Sequence, residues 1–132
     1  MAEKKPADRP LSPHLQIYRP MLTMMMSIMH RITGTALYFG VILLVWWLSA
    51  AALSDYQFDL AQSFFAHWFG KVVLFGFTWA LIHHALGGIR HLIWDTGRGF
   101  DPAAIEWMAR ANLAGSIILT ILLWLVVYGA MT

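Results

Sequence analysis

The sequence contains no cysteine and few charged residues. The absence of cysteine from its 132 residues excludes disulfides, thiolate metal sites and iron–sulfur clusters held by this chain. Charged residues make up 12% of the chain, about half the share that a soluble domain carries. The basic residues gather near the ends of long apolar runs, which indicates membrane topology and argues against a nucleic-acid surface.

Motifs for hydrolysis or group transfer are also missing. No nucleophile–base pair, phosphate-binding loop or pair of carboxylates has a suitable spacing. Residues 1–20 are polar and rich in proline, without the apolar core of a cleavable signal peptide or the composition of a transit peptide. We therefore expect the first apolar helix to act as its own insertion signal, in a bacterial inner membrane.

Apolar residues dominate the rest of the chain. They account for 59% of it, and the mean hydropathy is +0.61. Three runs are long enough to cross a bilayer, and we predict an all-α membrane protein with helices at about 24–52, 64–94 and 111–131. Residues 1–23 would form a cytoplasmic segment, and residues 24–132 the membrane anchor. A loop is expected at 54–62, and a short interfacial helix is expected to begin at Asp101-Pro102. The third run shows no chemistry and is expected to serve as an anchor.

The distribution of basic residues predicts the orientation. Five of them precede or begin the first predicted helix, and three flank the second loop, whereas the first loop has only Lys71 nearby. The positive-inside rule then places the N-terminus and the second loop in the cytoplasm and the C-terminus in the periplasm.

Residues 83–97, at the end of the second apolar run, carry unusual chemistry for a membrane helix. His84 and His91 are seven residues apart and share a helix face. Gly87 and Gly88 remove side-chain bulk beside His84, which leaves room for a flat porphyrin or for a closely packed helix. We therefore interpret His84 as an axial haem ligand, the alternative being a histidine hydrogen-bonded to a neighbouring helix. His83 points to another face and is expected to pack or hydrogen-bond.

Further polar residues lie near the predicted membrane surface on the same side. Arg90 and His91 could hold haem propionates, as could His30 and Arg31, although simple positive-inside anchoring explains His30 and Arg31 equally well. Ser27 and Arg31 are four residues apart on one helix face. They could instead hydrogen-bond a quinone carbonyl, with the guanidinium stabilising negative charge.

Two motifs give the chain a specific resemblance. The first is Arg9-Pro10 followed by Ser27-x-x-His30-Arg31-x-Thr33, and the second is His84-x-x-x-Gly88-x-Arg90-His91-x-x-Trp94-Asp95-x-Gly97. Both match, without a gap and in order, the pattern of the cytochrome b membrane-anchor subunits of succinate dehydrogenase, respiratory complex II, which the chain therefore resembles.

The resemblance implies a role for each motif residue. His84 would be an axial ligand of haem b, with the second ligand supplied by a second membrane-anchor subunit in a shared helical bundle. Ser27 and Arg31 would line the ubiquinone site beside the iron–sulfur subunit. The residues near the haem propionates would be His30, Arg31 and His91, and Asp95 would lie near the quinone site. Beyond the resemblance, we expect Asp95 to act there in proton uptake or in an ion pair with Arg31.

The implied reaction belongs to the whole complex. A flavoprotein subunit oxidises succinate, and electrons pass through iron–sulfur clusters to quinone at the membrane end that this chain forms. The chain would not catalyse succinate oxidation alone.

Three alternatives remain open from the sequence. The chain could anchor a quinol:fumarate reductase, or it could be a structural anchor without haem. It could also be a self-contained cytochrome with His30 and His84 on one iron, which we disfavour because His30 is expected too near the interface to meet His84.

Overall fold

Four α-helices make up most of the chain. The computed structural model describes residues 19–131, and no strand occurs within that range. The helices are α1 (Leu22–Leu53), α2 (Asp55–Ala66), α3 (Trp68–Asp95) and α4 (Pro102–Met131). Helices α1, α3 and α4 are long and apolar enough to cross a membrane, so the predicted all-α architecture with three spans is confirmed. The proline-rich motif Arg9–Leu15 lies outside the described residues.

Helix α1 begins two residues after Pro20. Met21 is extended and precedes the first helical residue, Leu22. Pro20 disfavours helical geometry at Arg19 before it, so the helix does not extend further toward the N-terminus. The helix has 32 residues and so is about 48 Å long, more than a bilayer core needs. Its first turns therefore extend to the membrane surface, and they carry Ser27, His30 and Arg31.

The expected loop at 54–62 is wrong, because these residues open helix α2. Ser54 is the N-cap, and its side chain accepts a hydrogen bond from the Gln57 backbone N–H at 3.3 Å, as serine does at a helix start. The Gln62 side chain accepts a bond from the Trp47 indole at 3.0 Å, which ties α2 to the end of α1. Helix α3 consequently begins at Trp68, four residues later than predicted.

The connection between α3 and α4 is a tight turn. Gly97 has a φ of +76°, and its N–H bonds the Trp94 carbonyl at 2.8 Å, as expected for a glycine after a helix C-cap. Pro102 then opens α4, which continues unbroken to Met131. The start at Asp101-Pro102 is confirmed, but the separate interfacial helix is wrong, since the last span is one helix.

The three long helices pack around a polar interior. Helices α1, α3 and α4 all contact one another. The largest fully buried side chains are polar, namely His83, Thr33, Thr120 and Ser116. Large apolar side chains along all three helices are exposed on the outside of the bundle. This arrangement suits a protein whose outer surface faces lipid tails or other membrane helices.

Candidate functional site

Two histidines from different helices meet at the centre of the site. The imidazoles of His30 on α1 and His84 on α3 are stacked, with ring centroids 3.9 Å apart and planes inclined by 6°. The expectation that His30 is too near the interface to meet His84 is therefore wrong. Because α1 starts at Leu22, His30 lies more than two turns from the helix start, where α1 packs against α3 and the two rings can meet.

A glycine on the opposite helix makes room for each ring. A Cβ atom at Gly34 would lie 2.9 Å from His84 Cε1, and one at Gly87 would overlap the His30 imidazole. The space beside Gly87 is thus filled by a side chain of α1, which is the closely packed helix that the sequence allowed as the alternative to a porphyrin. A Cβ atom at Gly88 would meet no other atom within 4 Å in the described part of the chain, so the face of α3 at Gly88 remains open.

Hydrogen bonding fixes the chemistry of His84. Its Nδ1 lies 3.1 Å from the His30 carbonyl oxygen, with the Thr33 hydroxyl oxygen 3.4 Å away. A carbonyl can only accept, so His84 Nδ1 carries the proton and donates it. In the neutral ring the lone pair then resides on Nε2, which is the arrangement of a metal-ligating histidine held by a carbonyl behind it.

The next turn of α3 extends the cluster toward the second loop. The His91 ring is exposed and lies 5.4 Å from the His30 ring, centroid to centroid. Arg90 faces the interior instead, with 5% of its surface exposed, and its guanidinium carbon lies 5.0 Å from the centre of the Trp94 ring. His91 therefore shares the outward-facing site with His84, whereas Arg90 does not.

Three further predicted site residues lie on the outer surface at the same end. Ser27, Arg31 and Asp95 are all exposed, and Ser27 and Arg31 project from one face of α1 beside His30. The suggested ion pair between Arg31 and Asp95 does not form within residues 19–131, where the ion pair is Glu106 with Arg110. The site thus opens outward from this chain.

His83 has the packing role that its helical phase predicts. It is fully buried against α4, and its Nδ1 lies 3.2 Å from the Ser116 hydroxyl oxygen. That hydroxyl donates to the Leu113 carbonyl at 2.9 Å, so it accepts the proton of His83 Nδ1.

Sequence reasoning missed the polar residues that α4 contributes. Asn112, Ser116 and Thr120 are buried at intervals of four residues, although the sequence suggests no chemistry for the third apolar run. Their spacing places them on one helix face, and this periodicity in the sequence indicates a polar face that packs against another helix.

The residues present suit a haem group bound through one histidine. His84 offers the Nε2 lone pair on a partly exposed ring, Gly88 leaves open space beside it, and His91 supplies an exposed imidazole nearby. No three histidine or acidic side chains within residues 19–131 converge to hold a bare metal ion. Stacked rings also cannot both point at one iron with a porphyrin between them, which argues against shared ligation by His30 and His84.

Comparisons with known proteins identify similar sequences over nearly the whole chain. Residues 5–126 match the model of a family described as succinate dehydrogenase/fumarate reductase transmembrane subunit. The succinate dehydrogenase cytochrome b556 subunit of Paracoccus denitrificans is 43% identical over 128 residues, which cover 97% of this chain and 98% of that protein. The b556 subunit of Rickettsia typhi is 42% identical over 88% of this chain and 90% of its own length. The b560 subunit of Marchantia polymorpha is 42% identical over 68% and 69%, respectively.

Proposed function

Because the chain belongs to the succinate dehydrogenase/fumarate reductase transmembrane subunit family, we propose that it binds haem b and helps to pass electrons from succinate to ubiquinone. Its similar relatives are named cytochrome b subunits of succinate dehydrogenase. The chain itself would anchor the complex and contribute part of the quinone-reduction site, and it would not oxidise succinate alone.

The geometry of His84 carries this proposal. Its Nδ1–H is held by the His30 carbonyl, so Nε2 is free to bind iron. The stacked His30 ring restricts rotation of the imidazole, and Gly34 admits the ring to the helix surface. Haem b, when bound, would supply one-electron chemistry, and His84 of this chain would hold its iron as one of two ligands. The second axial ligand would come from a second membrane-anchor subunit.

Hydrogen-bond donors near the membrane surface are suited to the haem propionates. His30 and His91 lie within one histidine cluster around His84, and Arg31 follows His30 directly on α1. Imidazole N–H groups can donate to carboxylates, and hydrogen bonds from the Arg31 guanidinium are charge-assisted and therefore strong. We assign His30, Arg31 and His91 to this role.

The quinone site would form at the exposed start of α1. The Ser27 hydroxyl can donate to a quinone carbonyl, and the Arg31 guanidinium can stabilise the charge that develops on reduction. Both are exposed toward the outside of the bundle, as a site shared with another subunit requires. Asp95 is the last residue of α3, at the same end, and would take part in proton uptake there.

The partners follow from the outward-facing site and the reaction. An iron–sulfur subunit would deliver electrons beside Ser27 and Arg31, a flavoprotein would oxidise succinate, and the second membrane-anchor subunit would complete the helical bundle. The membrane would be the bacterial inner membrane, with the N-terminus and the α3–α4 turn in the cytoplasm, where basic residues cluster.

Replacement of His84 tests haem binding directly. Reduced-minus-oxidised spectra of membranes containing the complex should show a b-type band that is lost or shifted in His84→Leu. His83→Leu is the matched control, because the adjacent imidazole lies on the α4-facing side and bonds Ser116. An unchanged spectrum in His84→Leu, or an equal change in both variants, would reject His84 as the ligand.

A further inference from the structure

The interior between the three long helices contains polar atoms without partners. Within residues 19–131, the buried side-chain atoms that lack a hydrogen bond are His30 Nδ1, His83 Nε2, Arg90 Nε and both amide atoms of Asn112. Arg90 and Asn112 are each 5% exposed, and His83 is fully buried. Such groups are rarely left unpaired in proteins, and in a membrane-spanning bundle no bulk water reaches them.

Helical spacing brings these side chains to one level of the bundle. His83 on α3 bonds Ser116 on α4, and α4 follows α3 through a tight turn, so the two helices run in opposite directions. One turn further along α3 lies Gly87, and one turn back along α4 lies Asn112. Asn112 therefore lies near the level of Gly87, and Arg90 one further turn toward the α3–α4 turn.

The His30 ring reaches the same level from α1. A Cβ atom at Gly87 would overlap His30 on the side of its Nδ1, which is one of the unpaired atoms. Gly87 is buried and lies between the face of α3 that contacts α1 and the face that contacts α4. His30, Arg90 and Asn112 thus approach one interior region from three different helices.

The unpaired atoms are chemically complementary. Arg90 Nε–H and Asn112 Nδ2–H are donors, and Asn112 Oδ1 is an acceptor. His83 Nε2 is also an acceptor, because His83 Nδ1 donates its proton to Ser116. Direct bonds do not join them, and within the described residues the Arg90 guanidinium has an aromatic ring but no carboxylate beside it.

We propose that the interior of this chain binds a small cluster of ordered water molecules bridging Arg90 and Asn112, with His83 and His30 at its margins. A buried water requires two to four polar partners, and donors and acceptors from three helices provide them. The cluster solvates the Arg90 cation at membrane depth and links α3 to α4 at the level of the His30–His84 pair. This hydration site lies on the opposite side of α3 from the open face of Gly88. It borders the proposed haem site only through His30, and Arg90 and Asn112, which hold the water, belong to neither the proposed haem site nor the proposed quinone site.

A structure of the intact complex, at a resolution that shows ordered water, tests the site directly. We expect density within hydrogen-bonding distance of both Arg90 Nε and the Asn112 amide. A direct bond between the two side chains, a carboxylate from another subunit on Arg90, or a dry contact would each overturn the proposal.

Whether replacing Asn112 raises or lowers the stability of the complex provides a second test. If water satisfies Asn112, Asn112→Leu removes bonds and lowers the temperature at which this chain dissociates from the purified complex. If the amide is unsolvated, the same replacement removes an unpaired polar group and raises that temperature. Thr120→Val is the matched control, because within residues 19–131 the buried Thr120 hydroxyl bonds the Ser116 carbonyl of its own helix and no other group, and a small change is expected.

A smaller pair of variants covers the case in which Asn112→Leu does not assemble. Asn112→Ser keeps a polar group and leaves room for one more water, whereas Asn112→Ala is similar in size and apolar. The serine variant should dissociate at the higher temperature. Equal temperatures, or a more stable alanine variant, would contradict the hydration site.

Discussion

The imidazole pair depends on two residues that have no side chain. Gly34 on α1 lies against His84, and Gly87 on α3 lies against His30. Each helix therefore has a glycine at the position where the imidazole of the other helix packs against it. The rings can then stack 3.9 Å apart, and the His84 proton reaches the His30 carbonyl. Orientation of a metal-binding histidine is known to depend on such surrounding contacts.

We predict that Gly87→Ala displaces His30 while leaving the fold intact. The added methyl group overlaps the His30 ring, and relieving this overlap costs about 1–3 kcal/mol. His30 should therefore leave its stack with His84. The electron paramagnetic resonance spectrum of the haem should shift, since it depends on the plane of the axial imidazole, and the melting temperature of the complex should fall.

Gly76→Ala is the control for that experiment, because a Cβ atom there meets nothing within 4 Å in the described chain. An alanine at an exposed helix position stabilises slightly relative to glycine. Identical resonance spectra in Gly87→Ala and Gly76→Ala would show that the His30 stack does not orient His84.

A second residue-scale prediction concerns Arg31. Loss of one charge-assisted hydrogen bond to quinone should lower kcat/KM for quinone by about tenfold to a hundredfold in Arg31→Leu. Succinate oxidation with a water-soluble artificial acceptor should be retained, since that reaction does not use the membrane site. Arg98→Leu removes an exposed cation at the same end and should affect neither rate. Equal loss of both activities in Arg31→Leu would indicate failed assembly.

At the scale of elements, sequence predicted the spans better than their connections. Long apolar runs determine where helices cross a membrane, because unsatisfied backbone groups are excluded there. Helix α2 was not predicted, because its moderate polarity and its two aspartates are also typical of a loop. Ser54, which is its N-cap, is a sequence feature that indicates a helix start. A helix start at Asp101-Pro102 was predicted correctly, but it was assigned to a short interfacial helix, and the last span was expected to begin only near residue 111, whereas one helix covers both.

Local sequence also determines which parts of the site could be predicted. Residues on one helix can be related by periodicity, so the shared face of Ser27 and Arg31 and the different face of His83 followed from spacing. Contacts between helices require the crossing geometry, which local sequence does not contain. The stack of His30 on His84 and the polar face of α4 toward His83 are contacts of this kind.

At the scale of the whole molecule, polarity is distributed differently inside and outside the bundle. Large apolar side chains cover the exterior, while the buried polar positions are Thr33, His83, Arg90, Asn112, Ser116 and Thr120. Lipid tails are as apolar as the helix side chains, so the hydrophobic effect does not drive helices together inside a membrane. Interhelical hydrogen bonds and close packing at small residues stabilise the bundle instead. The site residues Ser27, Arg31, His91 and Asp95 are exposed exceptions at one end, which is why we infer that other subunits cover them.

The absence of cysteine allows the orientation to be tested without background labelling. Asp59 on α2 and Arg98 in the α3–α4 turn are both exposed, and α3 separates them, so they must emerge on opposite sides of the membrane. A membrane-impermeant thiol reagent is applied to cells in which the outer membrane is permeabilised and the inner membrane is intact. It should label the Asp59→Cys variant and leave the Arg98→Cys variant unlabelled. Disrupting the inner membrane should then expose Arg98→Cys. The reverse pattern would place Ser27 and Arg31 in the periplasm, away from a cytoplasmic iron–sulfur subunit, and would contradict the proposed route of electrons to quinone.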